Sequence, residues 1–236
     1  HMESANPNSY MILEHFAANN EEQELANRGF MLWGNMHGSY KEAAMGYIGN
    51  SDISGAFHSQ RGWGFKHLVA YQESHDEERI TYDIINFGNS SGSYNTQSLA
   101  TAMARKELTS LFLYTIPGPK MLWQFGELGY DVGINDPCRV CNKPIRWNYQ
   151  QDPNRARLYS VVSDIINLRV NYPVFNSNNY RYSLNGATKR INLDDPSMNA
   201  TVIGNFDVVA QNVDPNFQST GWRYEFFSGD SINVAT

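Results

Sequence analysis

Four short, largely apolar runs recur before residue 125, and nothing else in the chain constrains its fold as strongly. They are Tyr10-Met11-Ile12-Leu13, Phe30-Met31-Leu32-Trp33, His67-Leu68-Val69-Ala70-Tyr71 and Met121-Leu122-Trp123. A strand with one face in water alternates apolar and polar side chains, whereas a strand buried on both faces does not alternate. Runs this short are poor helices but suit strands of a parallel sheet covered by helices on both sides.

The intervening segments fit that pattern. A short helix is expected over Glu21 to Asn27, stopped at Gly29. Ser39 with Glu42 has the form of a capping box and predicts a helix from there to about Ile48. Between 97 and 116, Leu99, Met103, Leu108, Leu111, Phe112 and Ile116 fall near helical spacing, and Pro117-Gly118-Pro119 ends that helix. Asp152-Pro153 reads as the N-cap and first helical position of another, which carries Leu158, Val161, Val162, Ile165, Ile166 and Leu168 and stops before Pro173. The segment from Glu73 to Tyr94 is expected to be a polar loop. The sum is an α/β arrangement of four βα units, too few to close an eight-stranded barrel.

Beyond about Phe175 the texture changes. Thr201 to Phe206 and Trp222 to Phe227 are short alternating segments set among Asn, Asp, Gly and Pro, as in an all-β unit. The expected division is therefore an α/β part over 1–176 and a small all-β, sandwich-like domain over 177–236.

A net charge of -6 without any Lys/Arg-rich stretch offers no footprint for a polyanion, so no nucleic-acid partner is expected. No apolar run approaches the roughly 20 residues of a membrane span, and no signal peptide opens the chain. His1-Met2 reads as a cloning remnant, which places the native N-terminus upstream. The 14 Tyr and 5 Trp supply flat faces that suit sugar rings as well as core packing. Cys138 and Cys141 form a C-x-x-C, but a structural zinc needs four ligands and no second pair accompanies them. Because they follow a Gly/Asn/Asp/Pro-rich loop, they read as a local disulfide or as two free thiols.

In parallel βα architectures the chemistry sits where the βα loops converge, at the carboxyl ends of the strands. Glu14, Asp76 and Glu127 stand at three of these ends, with His15 and His75 beside the first two. Cleavage of a glycosidic bond requires paired carboxylates, one to protonate the leaving oxygen and one to attack or to activate water. The competing reading is that each is a solvated acid on a polar loop. His75-Asp76-Glu77-Glu78 could offer metal ligands, but no H-x-x-x-H spacing accompanies it and no metal is expected there. Walker and G-x-G-x-x-G phosphate cradles are missing.

In this order the motifs resemble the second half of the α-amylase clan of glycoside hydrolases. Tyr10 to Glu14 is similar to that clan's fifth barrel strand, whose terminal Glu is the general acid/base. Glu73-Ser74-His75-Asp76-Glu77-Glu78-Arg79 resembles the segment after its seventh strand, where His and Asp grip sugar hydroxyls and the Asp stabilises the oxocarbenium-like transition state. Pro117 to Leu122 with Gly126-Glu127 resembles the eighth-strand segment, and Ile145-Arg146-Trp147 the loop after it. Arg169 to Phe175 is similar to the end of the last barrel helix.

The resemblance implies the second half of a (β/α)8 TIM barrel followed by part of the clan's domain C. It marks Glu14 and Asp76 as catalytic, and His75, His15 and Arg79 as substrate-binding, with His75 and Arg79 helping to keep Asp76 ionised. A general acid needs surroundings that favour its protonated form, which burial at a barrel mouth supplies. The implied substrate is an α-1,4-linked, starch-type glucan. No cofactor is implied within these residues, calcium being an option only in a longer parent, and the implied location is extracellular, cell-surface or periplasmic.

Three departures shape the expectation. Lys120 stands where many members have Pro, and Ser74-His75-Asp76-Glu77 is also similar to glucan branching enzymes. Hydrolysis and transglycosylation therefore both stay open, beside a non-catalytic glucan-binding role. The clan's nucleophile, an Asp on the fourth strand, would lie before residue 1, so the 236-residue polypeptide is expected to be inactive alone. Half a barrel also leaves two strand edges, which predicts self-association or a partner half.

Overall fold

The computed structural model describes Ser4, Asn6 and residues 9–235; His1 and Met2 lie outside the described residues. Strands β1 (Ile12–Leu13), β2 (Met31–Asn35) and β3 (Leu68–Tyr71) form a parallel sheet in that order. Ile12 pairs with Met31 and Leu32 with Leu68. Every residue of β3 is buried, as an unbroken apolar run requires.

Helix α1 (Asn19–Asn27) links β1 to β2. Helix α2 (His37–Met45) begins two residues before Ser39, so the expected capping box is not used. Instead the Asn35 Oδ1 accepts the His37 N–H at 2.9 Å. The helix stops at Gly46, whose φ of 88° is strained for any residue with a β-carbon, and so falls short of Ile48.

The segment expected to be a polar loop contains a two-turn helix, α3 (Ile80–Phe87), anchored by the fully buried Ile80 and Ile84. That i, i+4 pair is hidden in the sequence by the acids before it and the Asn/Gly/Ser run after it. Strands β4 (Ser90–Ser91) and β5 (Tyr94–Asn95) then form a small antiparallel hairpin. Gly88-Asn89-Ser90-Ser91-Gly92 has the spacing of a hydrolase nucleophile elbow, but here it runs from the end of a helix into a strand that holds Ser90, not from strand to helix.

Helices α4 (Leu99–Thr115) and α5 (Pro153–Asn171) pack against each other and begin at side-chain caps. Ser98 accepts from the Thr101 N–H, and Asp152 accepts from those of Asn154 and Arg155. The fourth strand expected at Met121 to Trp123 is reduced to one parallel bridge, Lys120 beside Ala70. Pro117 and Pro119 have no N–H to offer a ladder, and a 3₁₀ turn at Gly126–Leu128 follows at once.

Past residue 176, β6 (Asn179–Ser183), β7 (Thr188–Asp195) and β8 (Met198–Asn205) make an antiparallel sheet, and β9 (Gly221–Tyr224) pairs with β10 (Ser231–Val234). The two sequence-expected strands correspond to β8 and β9. Hydrophobic burial is continuous across the boundary: Ile191, Leu193, Val202 and Phe206 share one cluster with Phe112, Leu113 and Val174. Arg105 of α4, only 2% exposed, donates to the carbonyls of Ala44 at 2.9 Å and Asp207 at 3.2 Å and so ties the helices to the all-β unit. Among the described residues no helix is long and apolar enough to cross a membrane.

Candidate active site

β1 and β3 flank β2, and the chain leaving their carboxyl ends converges. Glu14 follows β1 directly, and the segment 72–79 follows β3. The His75 Nε2 lies 3.4 Å from the Glu14 Oε1 and 3.6 Å from the Asp76 Oδ2. Ligand-type atoms of these three side chains all fall within 4.8 Å of one another, although they come from two separate strand ends. One imidazole thus bridges two carboxylates.

A buried layer sets this geometry. Glu73, 4% exposed, accepts the Ile80 N–H at 2.8 Å and the Lys106 ammonium at 2.9 Å. Lys106 also donates to the Gln72 Oε1 at 2.9 Å. These bonds fix the exit from β3 and the start of α3. The Ser74 hydroxyl donates to Glu77 and accepts the Asp76 N–H at 3.3 Å, a tight local turn that leaves His75 and Asp76 facing solvent. Asn35 of β2 donates to the same Glu77.

Aromatic rings wall the cluster. Trp33 of β2 and Trp123 place their ring centres 5.8 Å and 6.1 Å from that of His75, and Trp33 meets Tyr71 edge-on at 5.3 Å. Sequence reasoning passes over both tryptophans as site residues, though each sits near the end of an apolar run and so carries the same strand-end signal as the acids.

The remaining candidates are dispersed. His15 bonds Glu21 at 3.0 Å, which turns it toward the start of α1 and away from His75. Arg79 is 2% exposed, and its guanidinium donates to the main-chain carbonyls of Ser74 and Glu77. The cation that faces Asp76 is Arg139, 3.6 Å from its Oδ1. Glu127 does not join the cluster; burial chiefly, with repulsion from Glu73, pushes its carboxyl above the usual range. The Glu14 side chain is 44% exposed, so the burial expected of a proton donor is not supplied by these residues. Cys138 and Cys141 are joined as a local disulfide.

Next to the buried layer lies a second perturbed pair. Burial raises the Asp83 carboxyl to about 6, with Lys41 opposing and Glu78, Glu73 and Glu42 adding to the rise. Burial lowers the neighbouring His37, whose Nε2 is 3.8 Å from Asp83 and whose Nδ1 bonds the Gln72 carbonyl at 2.9 Å.

No family model and no curated protein matches the sequence. Solved structures do match the fold. An α-amylase from Geobacillus thermoleovorans, complexed with acarbose, superposes with a TM-score of 0.74 at 13% identity, over 98% of this chain and 50% of that one. An Anoxybacillus α-amylase gives 0.71 at 16% identity, over 99% of this chain and 49% of that one. AmyP in complex with maltose gives 0.69 at 12% identity, over 96% and 51%. The chain therefore has an α/β fold of the α-amylase type and spans about half the length of the structures it matches, consistent with the C-terminal half.

Proposed function

We propose that this chain carries the acid/base half of the active site of a retaining α-glucan hydrolase built on a (β/α)8 barrel, of which residues 1–176 form the second half. The observation that carries the reading is the bridge of one imidazole between two carboxylates, flanked by two tryptophans, at the carboxyl ends of parallel strands. Glu14 acts as general acid/base and Asp76 as stabiliser of the oxocarbenium-like transition state, with His75 holding sugar hydroxyls between them. The tryptophan faces suit the apolar faces of glucose units. His15 serves at the rim, and Arg79 acts through the loop by holding the carbonyls beneath His75 and Asp76.

The substrate class is starch-type α-glucan, in keeping with the acarbose and maltose bound in the structures of like fold. The Cys138–Cys141 link supports an extracellular, cell-surface or periplasmic location, where disulfides persist. Within these residues no cofactor takes part. The outer edge of β1 has no strand beside it among the described residues and exposes Tyr10 and Ile12, which supports association with further strands or a second copy. A strictly monomeric species by light scattering would count against the second copy.

We further propose that the 236-residue polypeptide alone does not hydrolyse starch, its nucleophile being supplied by a segment upstream. Reducing-sugar release from soluble starch tests this, with the chain run beside a version extended upstream by four βα units. Activity in the extended protein only is the expected result. Activity in the chain itself would reassign Asp76: its separation from Glu14, within 4.8 Å between nearest atoms, is of the order of the roughly 5 Å found between acid and nucleophile in retaining enzymes.

A further inference from the structure

The loop after Glu127 has no role in the mechanism above, yet it touches the acidic cluster at one point. The Arg139 Nη2 donates to the main-chain carbonyl of Asp76 at 2.9 Å and lies 3.6 Å from the Asp76 Oδ1. One guanidinium therefore holds the backbone and the carboxylate of the same residue. The pair is exposed, 54% at Arg139 and 62% at Asp76, and an ion pair so open to water does little to fix geometry by itself. Something else must keep the arginine in place.

Two features of the loop do so. Arg139 lies between Cys138 and Cys141, whose disulfide closes the chain on itself, and the Cys141 N–H donates to the Cys138 carbonyl at 3.2 Å. The Lys143 ammonium donates to the carbonyls of Asp136 at 3.1 Å and Cys138 at 2.8 Å, and to that of Ile134. Upstream, the Ile134 N–H donates at 2.8 Å to the Glu78 carboxylate, which also accepts the Arg79 N–H at 2.8 Å. The loop is thus moored to the segment 75–79 on one side and cross-linked beside Arg139 on the other. A cross-link of this kind removes alternative loop conformations and with them the entropy that would release the arginine.

We propose that Arg139 is a positioning residue for Asp76, and that the Cys138–Cys141 link with the Lys143 clamp exists to hold it over that carboxylate. This rests on the reading of Asp76 as the stabilising group, since its orientation matters to a sugar ring only in that role. The plain alternative, a disulfide that merely staples a surface loop with Arg139 incidental, makes a different prediction for Asp76.

Amide hydrogen exchange by NMR separates the two in the 236-residue chain. Exchange is followed at Asp76, whose N–H bonds the Ser74 hydroxyl, in the wild type, Arg139→Ala, Arg139→Lys and the double variant Cys138→Ser/Cys141→Ser. The expected result is exchange at Asp76 and Glu77 faster by up to about fivefold in Arg139→Ala and in the double variant, the size of effect an exposed charged contact carries. Arg139→Lys should recover part of that protection, and the amides of β3 should be unchanged, which reports an intact fold. Unchanged exchange at Asp76 in Arg139→Ala with β3 intact would overturn the proposal. Acarbose binding, followed by the fluorescence of Trp33 and Trp123, is measured on the same samples. Weaker binding in Arg139→Ala supports positioning. Should the half-site in the wild type fail to bind acarbose, the exchange rates alone decide the role of Arg139.

Discussion

Two sets of charge meet around the end of β3, and they are held in opposite ways. In the buried set, Glu73 and Lys106 have side chains 5% and 4% exposed and meet at 2.9 Å, with Gln72 and the Ile80 N–H completing their partners. In the open set, Glu14, His75 and Asp76 are 44%, 46% and 62% exposed and meet at 3.4 to 3.6 Å. Burial demands full pairing, because an unpartnered charge in a poorly solvated site is costly. The open set carries no such demand, because water reaches all three side chains. Buried and open charge thus stand side by side, the open set joining residues that follow β1 and β3.

That contrast breaks most readily at Lys106. Lys106→Met leaves Glu73 buried and unpaired, and urea denaturation should show a loss of about 3–5 kcal/mol, the cost of halving a buried ion pair. A loss under about 1 kcal/mol would mean that water reaches Glu73 and that the two sets do not differ in kind.

A smaller, pH-dependent effect is expected at Asp83. Burial pushes its folded carboxyl up from 3.8 to about 6, so the fold binds this proton more tightly than the unfolded chain does. The stability it contributes is present below the unfolded value and is lost as pH rises through 3.8 to about 6. Asp83→Asn removes that loss, so above pH 6 the variant should be more stable than the wild type. The gain should be about 1–3 kcal/mol, since each tenfold difference in proton affinity between folded and unfolded chain is worth about 1.4 kcal/mol. It should vanish toward pH 4. His37, lowered by burial, acts in the opposite sense and loses stability as pH falls, so the variant should show a steeper acid limb than the wild type. Equal pH profiles for variant and wild type would contradict the burial of Asp83.

The smallest stability effect belongs to the open set. His75→Ala should change stability by less than about 0.5 kcal/mol, as exposed sites do. A loss of several kcal/mol would show that His75 is part of the scaffold.

Much of this arrangement is legible in the sequence. The parallel order of β1 to β3 follows from unbroken apolar runs, and the start of α5 from Asp152-Pro153, because strand burial and helix capping are local matters of residue type. Glu14, His75 and Asp76 are legible as strand-end residues, and here the long-range geometry agrees. Other features depend on distant partners. Helix α3 rests on Ile80 and Ile84 meeting the main core, which its acidic and Asn/Gly-rich flanks conceal. Ser39 has the look of a cap, but Asn35 takes that task because the turn out of β2 brings its side chain to the His37 N–H. Arg139 reaches Asp76 across 63 positions through a disulfide loop, and nothing in the local pattern announces it. Arg79 shows the converse: charged and beside the motif, it is expected at the substrate, yet it is buried against carbonyls.

The most direct measurement is made on the upstream-extended protein, with Glu14→Gln compared to the wild type for starch hydrolysis and for stability under urea. Loss of the proton donor should lower the rate by about 10²–10⁴-fold, while stability stays within about 0.5 kcal/mol. Retention of the wild-type rate in a folded Glu14→Gln protein would contradict the assignment of Glu14, and with it the reading of the cluster as an acid/base site.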